Sequence, residues 1–227
     1  MTRVALLGMP VAESLSPRMQ NAAFAAAGLD WEYSAWEVDA GELADAVQAV
    51  RDEWAGANVT IPHKQAVVAL CDEAAGESVN TLVVRDGRLL GFNTDQEIVL
   101  GLPSERVCLI GAGGAAAALR PGLHGEVLTF SRQGMWPPDA SGCELIVNAT
   151  PVRDELLVDP RPGQTVVDLA YYGDGRATSL VAAARAAGCE VVDGYEALVR
   201  QGAASFELWT GMPAPVHAMR SALGLLT

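Results

Sequence analysis

Two hydrophobic periods alternate along this chain, and their order predicts its elements. Arg3–Gly8 is a short apolar run closed by glycine, the pattern of a buried strand. Ser16-Pro17 opens a helix, since serine is a favoured cap and proline is tolerated at the first helical position. Its apolar side runs through Met19, Ala23, Phe24 and Ala27 to a stop at Gly28. Trp31–Val38 alternates like a strand, and Leu43–Trp54 has helical spacing. Asn58–Ile61 reads as a third strand closed by Pro62, with a helix from about His63 to Cys71. Asn80–Arg85 and Arg88–Phe92 flank Asp86-Gly87, a two-residue hairpin signal. Gln96–Leu100 is expected to start another helix.

Gly101-Leu102-Pro103 marks a seam. Beyond it, Arg106–Ile110, Val127–Phe130, Glu144–Val147, Thr165–Leu169 and Glu190–Val192 are short apolar strands. Helices follow at the alanine run after Gly114, at about Thr178–Ala187 and at Tyr195–Trp209. Strands that alternate with helices and lack hairpin turns predict a parallel α/β domain. A last helix near Ala214–Leu226 has no place in that sheet and is expected to fold back onto the first half. The fold class is therefore α/β, with residues 1–100 completed by 203–227 as one discontinuous domain and 101–202 as the other.

Composition narrows the chemistry. Half of the 227 residues are hydrophobic, enough for a sizeable core. Fifteen Lys and Arg against 28 Asp and Glu give a net charge of −13, which argues against nucleic acid as a partner. An anionic ligand must then be held locally, by a few well-placed cations and hydroxyls. Cys71, Cys108, Cys143 and Cys189 are scattered without CxxC spacing, as thiols in a reducing compartment would be. No charged-then-apolar leader precedes Val4, and no apolar run approaches the ~18 residues of a membrane span. A cytoplasmic monomer or homodimer acting on a small molecule, with no membrane partner, is the expectation. His63 has no second His or Cys near it, so no metal site is expected.

Three motifs carry chemistry. Gly111-Ala112-Gly113-Gly114-Ala115-Ala116 follows a strand and opens a helix, where glycine lets backbone approach a pyrophosphate; any tight turn would also favour glycine. The next strand ends Thr129-Phe130-Ser131-Arg132-Gln133, with no acid to hold a ribose 2′-hydroxyl. A lone Arg132 leans toward a 2′-phosphate, hence NADP, unless it is a plain surface arginine. Ser14-Leu15-Ser16-Pro17 places two hydroxyls at a helix start, which suits a carboxylate or merely caps the helix. Lys64, after Asn58-Val59-Thr60-Ile61-Pro62-His63, and Asp95, after Asn93-Thr94, form a candidate pair. The carboxylate would orient the amine for proton transfer during alcohol–ketone redox chemistry; a structural salt bridge is the alternative. Asn80, Asn93, Thr60 and Thr94 around them are groups that can bind a polyol.

Together these segments resemble the shikimate dehydrogenase family. The resemblance extends through Val79-Asn80-Thr81-Leu82, Asn148-Ala149-Thr150-Pro151, Asp168-Leu169-Ala170-Tyr171 and Gln201…Phe206…Trp209-Thr210-Gly211, in order along the chain. It implies a substrate domain around a Rossmann-like cofactor domain, and reversible reduction of 3-dehydroshikimate to shikimate with NADPH. Lys64 and Asp95 would be the catalytic pair. Ser14, Ser16, Thr60, Asn80, Tyr171 and Gln201 would contact the substrate. Gly111, Ala112, Gly113, Gly114, Ala115, Ser131, Arg132, Gln133, Asn148, Thr150, Leu169 and Gly194 would line the NADP site. A quinate- or aminoshikimate-type dehydrogenase using NAD or NADP, or a non-catalytic shikimate-binding relative, remain as alternatives.

Four departures from the family pattern stand out. Gln20 replaces a usual His, Glu77-Ser78 interrupts the run before Asn80, and Ser131-Arg132-Gln133 stands for Asn-Arg-Thr. Gln133–Gly142, with Pro137-Pro138, is too short for the helix that usually joins two parallel strands. A cofactor domain smaller than usual, with altered dinucleotide selectivity, is expected.

Overall fold

The computed structural model describes residues 1–225; of the expected last helix and its domain, positions 226 and 227 lie outside the described residues. The chain divides into two compact units, Met1–Asp95 together with the chain from Val199 on, and Gln96–Leu198.

In the first unit the chain runs β1 (Thr2–Gly8), α1 (Ser16–Ala26), β2 (Trp31–Glu37), α2 (Leu43–Glu53), β3 (Gly56–Val59), β4 (Glu73–Ala74), β5 (Thr81–Arg85) and β6 (Arg88–Phe92). The six strands form one sheet in the order β2-β1-β3-β5-β6-β4. β1 pairs in parallel with β2 and β3, whereas β5 runs antiparallel to both β3 and β6. Ala5, Leu7, Ala57, Val59, Leu82 and Leu89 of the sheet bury against Leu43, Ala46, Val47 and Val50 of α2. α1 buries Ser16, Met19, Gln20, Ala23 and Phe24, a stripe at helical spacing. The hairpin forms as its sequence predicts. Asp86 and Gly87 both take positive φ, 53° and 75°, as a twisted two-residue turn requires.

In the second unit come β7 (Arg106–Ile110), α3 (Gly114–Leu119), β8 (Glu126–Phe130), β9 (Leu145–Asn148), β10 (Thr165–Asp168), α4 (Ser179–Ala186) and β11 (Glu190–Val192). These strands form a wholly parallel sheet in the order β11-β10-β9-β7-β8. Both faces of the sheet are covered. Val107 and Leu109 of β7 lie in one core cluster, and Cys108 and Ile110 in another. Burial on both sides explains why the strand is a continuous apolar run without alternation. Residues 131–144, all described, contain no helix, so the connection from β8 to β9 is made by loop. α5 (Gly194–Thr210) starts in this unit and ends in the first, followed there by α6 (Val216–Ala222). Among the described residues no helix is long and apolar enough to cross a membrane.

Several local expectations are corrected. The helix expected over His63–Cys71 is a turn followed by one 3₁₀ stretch at Ala66–Leu70. The buried His63 ring is bonded to the Val38 carbonyl at 2.7 Å, and the Lys64 carbonyl accepts from Val79 N–H at 2.9 Å. Val67 N–H still reaches the His63 carbonyl, but the Lys64 carbonyl is taken by Val79, and Val68 N–H bonds Gln65 instead, so the helical ladder does not continue. The helix expected from Gln96 is likewise a 3₁₀ turn, Asp95–Ile98. β4 was not foreseen. Ser16 is not the cap of α1: Leu15 occupies that position, with no side-chain capping bond. The last helix is shorter than expected, confined between Pro215 and Gly224 (φ 76°).

Candidate active site

Lys64 follows β3 through the Thr60–His63 turn, and Asp95 follows β6. Because β3 and β6 both flank β5, each antiparallel to it, their ends come to the same edge of the sheet. There Lys64 Nζ donates to Asp95 Oδ2 at 2.5 Å, with side chains 17% and 12% exposed. The pair is sheltered but reachable. Asn80, just before β5, locks the acid. Its Nδ2 donates to Asp95 Oδ1 at 2.8 Å, while its Oδ1 accepts from Thr94 N–H at 2.7 Å. The Val79–Lys64 backbone bond ties the same segment to the lysine.

Behind this pair lies a buried polar scaffold. Asn58 Nδ2 donates to the Asn80 carbonyl, Thr81 Oγ1 and Ser205 Oγ, each at 3.0 Å. The Ser205 hydroxyl lies 2.9 Å from Thr81 Oγ1 and 3.2 Å from Thr94 Oγ1. Tyr33 donates its hydroxyl to Asn58 Oδ1 at 2.9 Å; burial pushes this phenol well above its usual pKa, and a bond to the Ser16 hydroxyl works the other way. An unbroken chain of polar contacts thus links Ser16 to Lys64. Ser205 was missed at the sequence level, because one serine on an apolar helix face carries no local signal. Asn58 was quoted in its motif without a role.

The other sequence-predicted substrate residues are placed as follows. Ser14 Oγ accepts from Ser16 N–H at 3.3 Å, so the two serines share one turn. Thr60 is half-buried at the end of β3, its N–H bonded to the Leu7 carbonyl. Gln201 lies on α5 one turn before Ser205, and its carbonyl accepts the Ser205 hydroxyl at 3.1 Å. Gln20, fully buried, donates Nε2 to the carbonyl of Gly202 beside it at 2.8 Å. Tyr171 belongs to the second unit, its ring 5.4 Å from that of Tyr195.

In the second unit the loops after β7, β8, β9 and β10 all leave one edge, since every strand is parallel. β7 has β8 on one side and β9 on the other, so the strand order reverses at the glycine loop. Ligands of open α/β sheets sit at that point. Gly111 has φ 115°, and a Cβ there would lie 3.2 Å from the Ala149 backbone; Gly113 and Gly114 face open space. The loop is bare backbone where a pyrophosphate could approach, flanked by Ala112 and Ala115. Ser131, Arg132 and Gln133 leave the adjacent strand, with Ile110 in register opposite Phe130. Leu169 follows β10, its N–H on the Asn148 carbonyl at 3.0 Å. Gly194 opens α5 so close to this exit that a Cβ would lie 2.8 Å from the Ala170 carbonyl oxygen. Asn148 is buried and bonds Asp168 Oδ1 at 2.9 Å and Thr150 N–H at 3.0 Å; it shapes the turn that carries Thr150. Bare glycine backbone beside an arginine and no acid at the end of β8 is a donor set that fits NADP.

Comparison with known proteins identifies relatives of this chain. The family model described as the shikimate dehydrogenase substrate binding domain matches residues 6–82, and that of the shikimate 5′-dehydrogenase C-terminal domain matches residues 194–223. A shikimate dehydrogenase (NADP(+)) of Rubrobacter xylanophilus is 41% identical, with 97% of this chain and 94% of that protein covered. The alignment extends over 273 positions against 227 residues here, so that relative carries segments this chain lacks. A shikimate dehydrogenase (NADP(+)) of Moorella thermoacetica is 36% identical over 97% of this chain and 93% of its own length. The crystal structure of shikimate 5-dehydrogenase from Thermus thermophilus in complex with NADP(H) and shikimate superposes with a TM-score of 0.84 at 33% identity, covering 99% of each chain. By sequence identity, by fold and by the residues that its two units present, the chain belongs to the shikimate dehydrogenase family.

Proposed function

We propose that this protein catalyses the reversible, NADP-linked interconversion of shikimate and 3-dehydroshikimate. The observation that carries the reading is the Lys64–Asp95 pair, 2.5 Å apart and fixed by Asn80. NADP, held by the Gly111–Ala115 loop and Arg132, would supply the hydride chemistry at the ring carbon. Lys64 exchanges the proton at the oxygen on that carbon, donating it in reduction and accepting it in oxidation. Asp95 orients the amine, and Asn80 orients Asp95, so little reorganisation is needed at the moment of transfer. Ser14 and Ser16 present hydroxyls for the substrate carboxylate; Thr60, Asn80, Tyr171 and Gln201 hold its hydroxyls. The first unit, completed by the C-terminal helices, is the substrate domain, and the second is the cofactor domain. Four free thiols are in keeping with a reducing, cytoplasmic setting.

Steady-state assays of the purified protein test this reading. Reduced nicotinamide should accumulate with shikimate and NADP, with kcat/KM for shikimate exceeding that for quinate. Absence of turnover with shikimate and quinate, using either nicotinamide, would remove the proposal. A second expectation concerns Asn80. Asn80→Ala leaves the Thr94 N–H and Asp95 Oδ1 without their partner in a buried setting. Stability should fall by about 2 kcal/mol or more, seen as a lower denaturant midpoint, and kcat should fall with it as the acid loses its orientation.

A further inference from the structure

Arg132, the cation that the NADP reading assigns to the cofactor's 2′-phosphate, already has a carboxylate on it. Arg132 donates from its guanidinium to Glu155 Oε2 at 3.0 Å, and the guanidinium carbon lies 5.5 Å from the centre of the exposed Trp136 ring. Glu155 comes from the loop after β9, and Arg132 from the loop after β8. Since β8 and β9 flank β7, the two loops that carry this ion pair leave the sheet on either side of the strand end from which Gly111–Gly114 depart.

The loop that delivers Glu155 is held in place. Asn148 Oδ1 accepts from Thr150 N–H and Oγ1, Asn148 Nδ2 donates to the Val152 carbonyl at 3.3 Å, and Val152 N–H reaches Thr150 Oγ1 at 3.3 Å. One residue before Glu155, Asp154 accepts the Tyr172 hydroxyl, and Arg176 lies 3.7 Å from the centre of that ring. Asp154 is thus engaged with Tyr172, while the Glu155 carboxylate turns to Arg132.

We infer that Glu155 is a specificity-determining residue, a built-in competitor for the cofactor's 2′-phosphate at Arg132. The inference rests on the NADP reading and deepens it. A 2′-phosphate must take the guanidinium from Glu155 and then sits beside a carboxylate, which repels it. A 2′-hydroxyl leaves the ion pair intact and can donate to Glu155, which supplies from the next loop the acid that the end of β8 lacks. Glu155 therefore narrows the preference for NADP over NAD. Trp136 adds a ring contact to the same guanidinium.

The test is calorimetric titration of the full-length protein with adenosine 2′,5′-bisphosphate and, separately, with AMP. Glu155→Gln should tighten the bisphosphate about fivefold, the scale of one exposed ion pair, and leave AMP unchanged or weaker. The NADP-to-NAD ratio of kcat/KM should rise by a similar factor. Glu155→Ala gives the same readings if the glutamine variant is poorly folded. An unchanged bisphosphate-to-AMP ratio in a variant, while the wild type binds both, overturns the inference and leaves the NADP reading standing. A wild type that binds neither compound overturns the NADP reading, and the inference falls with it.

Discussion

Lys64→Ala should lower kcat by about 10²–10⁴-fold, the range contributed by a positioned proton donor, while the protein stays folded. Among the described residues, the side chain makes one ion pair, with Asp95. Its backbone carbonyl, which receives Val79 N–H, is untouched by the substitution. Asp95 keeps its bond to Asn80, so its carboxylate is not left without a partner. A partly exposed ion pair of this kind contributes about 1 kcal/mol, and the thermal midpoint should move little. Lys64→Arg separates two roles of the charge. Arginine keeps the cation but holds its proton far above neutral pH. If Lys64 passes a proton, arginine leaves kcat low; if the cation serves only to attract the substrate, arginine restores it. Steady-state kinetics with far-UV circular dichroism on both variants reads the outcome.

Gly56→Ala should be the most damaging single-methyl change in the first unit. Gly56 sits in β3, paired with Val4 of β1 on one side and Val83 of β5 on the other. A Cβ there would lie 2.2 Å from the Leu82 carbonyl oxygen and 2.6 Å from Trp209 Nε1. Neither can retreat freely. The carbonyl belongs to a central strand, and the indole N–H donates to that same carbonyl at 2.8 Å, fastening α5 to the sheet. Overpacking costs about 1–3 kcal/mol, and the broken buried bond adds about 1–3 kcal/mol. A loss of about 4 kcal/mol is a large share of the stability of an ordinary domain. Gly113→Ala is the control. Its Cβ meets nothing within 4 Å and its φ is −91°, so no clash arises and only the smaller cost of alanine at a helix N-cap, about 1 kcal/mol or less, is expected. Urea titrations of the three proteins decide the matter.

What could be read from the sequence follows physical lines. The second unit's strands were legible because burial on both faces leaves no polar position, as in Val107-Cys108-Leu109-Ile110. The hairpin was legible because Asp86-Gly87 is among the few dipeptides that tolerate two positive φ angles. The loop in place of a crossover helix was legible from the length and prolines of residues 133–142. Less could be seen where a tertiary contact overrides local preference. The Lys64 carbonyl is taken by Val79 N–H, which interrupts the helix expected there, and Ser16 turns its hydroxyl to Tyr33 where a cap was expected. β4 is two residues long and exists only through its pairing with β6. At the candidate site the pair itself was visible in its motifs. The scaffold behind it was not, because Ser205 reaches Asn58 across 147 positions of chain. Glu155, 23 positions beyond Arg132, was invisible for the same reason.

The most direct measurement is a crystal structure of the protein with shikimate and NADP both bound. Lys64 Nζ should lie at hydrogen-bonding distance, about 2.6–3.2 Å, from the oxygen on the ring carbon that faces the nicotinamide, with Asp95 still in contact with the amine. Shikimate seated with that oxygen on another side chain, and Lys64 turned away from the ring, would contradict the assignment of the pair.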